Sequence, residues 1–558
     1  MALRSRATDS QLLLTTVCCG YAGELTCLCL FPSRPPPPPD KNGYGSFPGS
    51  ISWMSASFSV ASVLLSRYNA LQSLRSLYPD LKAHLLFYNW NAWAFNNETG
   101  LVYWDQYGDW NSLAPTEPLL PANVYYFSDS LFMADLAAQL GEPDDALAFL
   151  GLSAYLNAEL PAVFASPPNK SAHVWDKGSQ AAQAIPLYWG IGGDVYANLT
   201  DGSLAALVAD VAAHGQHYTV GTLGSRFLLQ ALSMSGRGDV ALALASQTTY
   251  PSIGAMVEGT ADQPALGTLW EGWEGPTKSD GSSGNHIMLG GGIGEWLYSY
   301  ALGLRYYSRR ATPLPYDARA RDCEREVGFG IDIRATHGVS ADDMCVLARA
   351  MRLLRARRAS GEAAGSLVEF DNLRATVAAV RTMGPYAAAE ATGIVPVARL
   401  VIDAHVAKAL RSAHGTISTP YGPMSASWSL NTDTEGDITQ LSMNVAVPSG
   451  VTLDVFMPVD ILMQLSRNGS ADIRVDLSRT ATAVGPLAVG IAQWSTLIQC
   501  NSITGPSCAV GDLGDIQFTS TWAPPGEADD RRVGPRSGNP LHWRLALPPG
   551  AWALTLMP

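Results

Sequence analysis

The 558-residue chain is 47% hydrophobic and carries a formal net charge of −13. That length exceeds what one compact core accommodates and implies two or three domains. Acidity without long basic runs argues against a nucleic-acid partner, and no run reaches the ~18 uninterrupted apolar residues of a membrane span. The nine His and eight Cys form no CxxC, HExxH or other metal-ligand spacing, so neither metal nor cofactor is expected. The 15 Trp and 21 Tyr suit sugar rings, but they also fill ordinary cores.

Residues 1–50 read as a disordered or mis-assigned leader rich in Pro, Ser and Gly. Within it, Gln11–Phe31 is moderately apolar, but Gly20 and Glu24 interrupt it and leave a signal peptide unconvincing. Asn-x-Ser/Thr triplets at Asn97, Asn169, Asn198 and Asn468 permit secretion without fixing the compartment. From Ser52 to about Tyr307 the apolar spacing predicts helices, over Val60–Leu77, Val124–Leu140, Asp144–Phe164, Gln180–Trp189, Leu204–His214, Leu223–Met234, Asp239–Ser246 and Met288–Leu304. Short Gly- and Asp-containing loops between them imply antiparallel hairpins. Several helices are apolar on more than one face, which fits a ring of inner and outer helices over residues 51–312. Residues 313–395 read as a partly helical linker or insertion with a basic helix over Val346–Arg358. From about Val397 the period shortens to two. Leu400–Ile402, Gly415–Ser418, Ser425–Leu430, Gln440–Val447, Thr452–Met457 and Ala551–Met557 are expected strands of an antiparallel β-sandwich over 396–558. Near its end, Cys500 and Cys508 are close enough to bridge a loop, with two unpaired thiols as the alternative.

The most informative block is Gly267-Thr-Leu-Trp-Glu-Gly-Trp-Glu-Gly275, which sets Glu271 between Trp270 and Trp273. Indoles stack on pyranose rings, exclude water and raise a neighbouring carboxyl pKa, a setting for a general base acting on one water. The alternative is a loop whose two Trp pack beneath a helix and whose Glu271 is exposed. Glu274 competes for the same role from the far side of Trp273. In Tyr107-Gly-Asp-Trp110, Asp109 and Trp110 pair a carboxylate with an indole, as either a sugar clamp or a helix N-cap. His286 is either a donor to a sugar hydroxyl or a structural histidine. The stretch His217–Gly224 opens a helix with glycines that admit either a ligand or close packing.

Four blocks in order resemble the second half of the catalytic domain of the bacterial α-L-rhamnosidases, glycoside hydrolase family 78. They are Thr219–Gly236, Thr249–Thr260, Thr268-Leu-Trp-Glu-Gly-Trp273 and Asn285-His286. Tyr107-Gly-Asp-Trp110 is similar to that family's Gly-Asp-Trp segment, and Ser52-Trp53 to its Pro-Ser-Trp element. Thr419–Trp428 and Val447–Val451 resemble its closing β-domain. The resemblance covers roughly residues 50–310 and 395–460. It implies a mainly α chain with a C-terminal β domain: an (α/α)6 toroid, incomplete here, followed by an antiparallel β-sandwich. It also implies inverting hydrolysis of terminal α-L-rhamnose from glycosides or polysaccharides. Glu271 is then the general base, with Trp53, Asp109, Trp110, Trp270, Trp273 and His286 around the sugar.

The family's general acid lies in an Asp-Cys-Pro-x-Arg-Glu-type segment ahead of these motifs, and nothing before Trp53 resembles it. A truncated gene model or fragment is the simplest expectation. Asp322-Cys-Glu-Arg-Glu326 has similar letters but follows the base, and Asp105 and Asp109 are further stand-ins for the acid. Two rival readings are a non-catalytic sugar-binding homologue and another toroid enzyme such as a polysaccharide lyase. The lyase would need a cation near the cleft, and the block after Glu271 has no Lys or Arg until Lys278.

Overall fold

The computed structural model describes residues 50–90, 95–96, 100–105, 107–166, 173–191, 199–261, 264–276, 283–310 and 394–458. It also describes 461, 464–465 and six strands at 472–480, 492–500, 508–510, 517–521, 542–547 and 550–557. Residues 1–49, the asparagines of the four glycosylation triplets, the expected basic helix and the Asp322–Glu326 segment lie outside the described residues. The chain divides into two compact units, residues 1–210 with 312–393 and residues 211–311 with 394–558.

In the first unit, α1 (Ile51–Met54), α2 (Ala56–Tyr68) and α3 (Leu71–Trp90) precede a short hairpin of β1 (Phe95–Asn96) and β2 (Leu101–Val102). Then come α4 (Leu119–Leu140), α5 (Pro143–Phe164), α6 (Gln180–Trp189) and α7 (Leu199–Ala213). The single helix expected over Val60–Leu77 is instead two. Asn69 takes the left-handed conformation (φ 51°) and ends α2, a role its short polar side chain tolerates. The bounds of α6 agree with the sequence reading, because both stops are local. The Ser179 hydroxyl accepts from the Ala182 amide at the start, and left-handed Gly190 closes the end.

Helix α4 is buried along nearly its whole length and on every face. A helix of that kind needs neighbours all round it, and each polar group it carries needs a partner. Asn123 Oδ1 accepts from the Val102 amide at 2.9 Å, and its Nδ2 donates to the Val102 carbonyl at 2.9 Å, which fixes β2. Asp129 accepts from the Ser55 hydroxyl at the α1–α2 junction. Helix α5 packs beside α4; its Asp144–Phe164 stretch is long and apolar enough to cross a membrane, yet 57% of it is buried within the protein. Asp145 on α5 accepts from Tyr78 Oη (2.7 Å) and pairs with Lys82 Nζ of α3. His84, 1% exposed, sits with Nδ1 3.0 Å from Ser57 Oγ and its ring stacked on Phe58 at 5.1 Å.

The second unit opens with α8 (Thr222–Met234), α9 (Gly238–Ala245), α10 (Ile253–Glu258) and α11 (Gly291–Trp296). A π-helical turn, Leu297–Ala301, continues α11. The helix expected over Met288–Leu304 is therefore shorter, and Leu304–Arg310 is strand β3. Gly303 makes the change of direction at φ +83°, and a Cβ there would lie 2.0 Å from the Val401 carbonyl oxygen. Only glycine fits that turn.

β3 begins a five-stranded sheet that also holds β4 (Ile394–Val401), β8 (Thr452–Pro458), β12 (Gln517–Thr521) and β13 (His542–Leu547), in the order β12-β13-β8-β4-β3. A seven-stranded sheet runs β11-β10-β9-β14-β7-β6-β5, from β5 (Ser412–Thr419), β6 (Gly422–Thr432), β7 (Ile438–Val447), β9 (Asp472–Thr480), β10 (Ala492–Cys500), β11 (Cys508–Val510) and β14 (Gly550–Met557). Helix α12 (Ala404–Leu410) joins the two sheets, capped by the Asp403 carboxylate on the His405 and Val406 amides. Among the described strands all pairings but one are antiparallel. β4 and β8 are parallel because the chain makes the β5–β6–β7 meander in the other sheet before it returns. Alternation puts Met424, Ala426, Trp428 and Leu430 of β6 into a core shared with Leu400, Leu453 and Val455 of the five-stranded sheet. Cys500 and Cys508 are register partners at the end of the β10–β11 pair.

Gly303→Ala combines a positive φ with a backbone clash, and is expected to cost about 3 kcal/mol or more, read as a lower urea midpoint. Burial lowers the His84 pKa from 6.5 to about 4, so between these pH values the imidazole is neutral in the fold and takes a proton on unfolding. Stability from this site is complete above pH 6.5 and is lost as pH falls towards 4. The wild-type advantage over His84→Gln should shrink by about 3 kcal/mol between pH 7.5 and 4 in paired denaturation curves.

Candidate active site

In the first unit one carboxylate accepts hydrogen bonds from both segments that carry aromatic residues. Asp105 follows β2 and precedes Tyr107-Gly-Asp-Trp110. Its Oδ1 accepts from Ser50 Oγ (2.6 Å) and from the Tyr107 and Gly108 amides (both 3.1 Å). Its Oδ2 accepts from the Ser52 hydroxyl (3.0 Å) and the Ser52 amide (3.3 Å). Gly108 takes φ +51°, and a Cβ on it would stand 3.0 Å from Pro118 Cα, so the turn is reserved for glycine. The Trp110 amide then donates to the Gly108 carbonyl and the Ser112 amide to the Asp109 carbonyl, both at 3.1 Å.

Trp53, Tyr107 and Trp110 form a row on this frame. The Trp53 and Tyr107 centroids are 5.4 Å apart with planes tilted 58°, and Tyr107 meets Trp110 edge-on at 5.7 Å. Trp53 and Tyr107 are half-buried, whereas Trp110 is 42% exposed. Asp109 is 6% exposed and belongs to a turn, so the helix N-cap weighed from its sequence is not its role. Three predicted residues, Trp53, Asp109 and Trp110, are thus brought together. Asp105, considered from the sequence only as a stand-in acid, hydrogen-bonds to both segments, and Tyr107 touches both indoles. The signal was there: Asp followed by Gly three residues on is a turn signature.

In the second unit the stretches 268–271 and 283–286 lie side by side. The Glu271 amide donates to the Ser283 carbonyl (2.9 Å), and the Ser283 amide donates to Glu271 Oε2 (2.8 Å). The His286 amide donates to the Leu269 carbonyl (2.8 Å), and the Thr268 hydroxyl donates to the Gly284 carbonyl. Glu271 is therefore half-buried with a fixed carboxylate, and Glu274 is exposed. His286 Nδ1 accepts from the Met288 amide (3.4 Å), which places the proton of a neutral ring on Nε2.

Both indoles beside Glu271 are enclosed, Trp270 at 1% and Trp273 at 3% exposure. Trp273 stacks on Tyr218 (5.3 Å, 29°), and its Nε1 donates to the Val220 carbonyl at 2.7 Å. The stretch Tyr218–Gly221 before α8 thus serves packing, and burial pushes the Tyr218 hydroxyl pKa up. The predicted residues fall into two sets: Trp53, Asp109 and Trp110 in one unit, and Trp270, Glu271, Trp273 and His286 in the other.

Helical hairpins followed along the chain by two packed sheets fit the six-hairpin glycosidases that carry a C-terminal β-domain. Residues 31–301 match the bacterial alpha-L-rhamnosidase 6 hairpin glycosidase domain, and residues 398–469 match the bacterial alpha-L-rhamnosidase C-terminal domain. Together these matches take in more than half of the chain, which belongs to the bacterial α-L-rhamnosidase family. An alpha-L-rhamnosidase of Streptomyces avermitilis is 27% identical over 265 residues, 46% of this chain and 24% of that protein. The structure of alpha-L-rhamnosidase from Dictyoglumus thermophilum aligns with a TM-score of 0.55 at 17% identity, covering 92% of this chain and 40% of its own. That of the Streptomyces avermitilis alpha-L-rhamnosidase complexed with L-rhamnose aligns at 0.52 and 17%, covering 93% and 34%. At such identity the structural likeness speaks for the fold. The chain spans well under half the length of these relatives.

Trp273→Phe deletes the donor to the Val220 carbonyl while keeping most of the ring. It is expected to lower unfolding free energy by about 1–2 kcal/mol in chemical denaturation.

Proposed function

We propose that the chain forms the hydrolytic part of a glycosidase that removes terminal α-L-rhamnose from glycosides or polysaccharides with inversion. Glu271 activates the attacking water. Trp53, Asp109 and Trp110 of the first unit are sugar-binding residues on this reading, and in the second unit His286 Nε2–H donates to a sugar hydroxyl while the enclosed Trp270 and Trp273 hold the Glu271 segment. The observation that carries this reading is the fixed Glu271 carboxylate, oriented by the Ser283 amide and flanked by enclosed indoles. A general base needs a set direction towards its water and limited access for competing solvent. An inverting pair stands roughly 6.5–9.5 Å apart, so the proton donor is a second group across the sugar. Asp105 is poorly suited to that task, because both its oxygens already accept hydrogen bonds and a proton there would displace a donor.

A sugar-binding homologue without turnover is the second reading, supported by the partly exposed aromatic row of Trp53, Tyr107 and Trp110. One experiment separates the two. A chromogenic α-L-rhamnoside is assayed with wild type and Glu271→Gln, with the first-formed anomer followed by NMR. The hydrolase reading expects β-rhamnose first and a fall of about 10²–10⁴ in kcat for the variant. Equal rates in the two proteins would exclude Glu271 as the base. Rhamnose binding without turnover by wild type would establish the binding protein.

A further inference from the structure

We infer that Asp105 is the positioning residue of the aromatic row, acting through hydrogen bonds to both segments that carry it. This rests on the proposed sugar site and adds the group that sets its spacing. Ser50 and Ser52, just ahead of Trp53, donate to Asp105 from one side; the Tyr107 and Gly108 amides donate from the other. These segments are more than fifty positions apart in the chain, and the carboxylate is the atom group they share. Donors converge on both oxygens, so the anion is held between the helix start and the turn. Each segment also has its own anchor on α4: Ser55 donates to Asp129, and Val102 pairs with Asn123. Those anchors set the general placement, and Asp105 sets the approach of Trp53 to Tyr107. No backbone–backbone bond between the two segments performs this task among the described residues. Trp53 Nε1 is buried without a hydrogen-bond partner, so its indole is held by ring contact and by the frame beneath it.

The test compares Asp105→Ala, Asp105→Asn and Ser50→Ala/Ser52→Ala with wild type. Far-UV circular dichroism verifies folding, and near-UV circular dichroism with acrylamide quenching reads the row. Asp105→Ala should change the near-UV spectrum and raise quenching, and the change should vanish in a Trp53→Phe background. Asp105→Asn keeps one acceptor oxygen for Ser50, Tyr107 and Gly108, and should restore most of the wild-type signal. The double serine variant should produce a smaller change of the same sign, and it decides the matter if Asp105→Ala does not fold. On a chromogenic rhamnoside, Asp105→Ala should raise KM about tenfold with kcat nearly kept, as expected for lost charge-assisted hydrogen bonds that orient a binding surface. Folded Asp105→Ala, or folded double serine variant, with wild-type near-UV and quenching signals overturns the inference, whatever the activity. A wild type that neither binds nor hydrolyses rhamnosides sinks the proposed function, while the spectral response of the row still stands or falls by itself.

Discussion

The helical unit depends on one constraint: α4 has no solvent face. Hydrophobic burial alone would let such a helix slide or rotate among its neighbours, because apolar contact is non-directional. Its buried polar groups remove that freedom. Asn123 takes both the amide and the carbonyl of Val102, and Asp129 takes the hydroxyl of Ser55. Leaving either group unpaired inside the protein would cost about 1–3 kcal/mol, so register and burial are satisfied together or not at all. The elements fixed in this way, β2 and the α1–α2 junction, are those that flank Asp105 and Trp53.

The second unit uses backbone pairing for the same purpose. Glu271 is anchored twice to Ser283, once through its own amide and once through its carboxylate. A side chain held by a main-chain donor is less sensitive to substitution of its neighbours than one held by another side chain. Enclosure of Trp270 and Trp273 then gives that segment a rigid floor. The directing groups of both sets of residues are therefore polar and local, while the aromatic rings supply bulk and contact area.

Much of this was legible in the sequence where the signal is local. Helix α6 has a serine stop at one end and a glycine at the other, and strand β6 alternates cleanly enough to be read by period. The Glu271 block and the Gly-Asp-Trp turn stood out by residue type. What stayed hidden depended on single backbone choices or on distant partners. Asn69 in a left-handed conformation splits one long periodic run into two helices. The helix expected over Met288–Leu304 stops short because Gly303 turns the chain into a strand beside Val401. The parallel pairing of β4 with β8 has no signature in either strand, since it follows from the path taken between them. Asp105 is one aspartate in a turn; its five donors come from positions that no short window contains.

The antiparallel pairing of β3 with β4 has a consequence for the long segment between them. Arg310 and Ile394 are register partners, so the last residue of β3 and the first of β4 lie side by side. The entropy of closing such an excursion grows only with the logarithm of its length. The pairing of β3 with β4 therefore asks only that the two ends of the connection stay one strand spacing apart, a demand almost independent of how many residues lie between them.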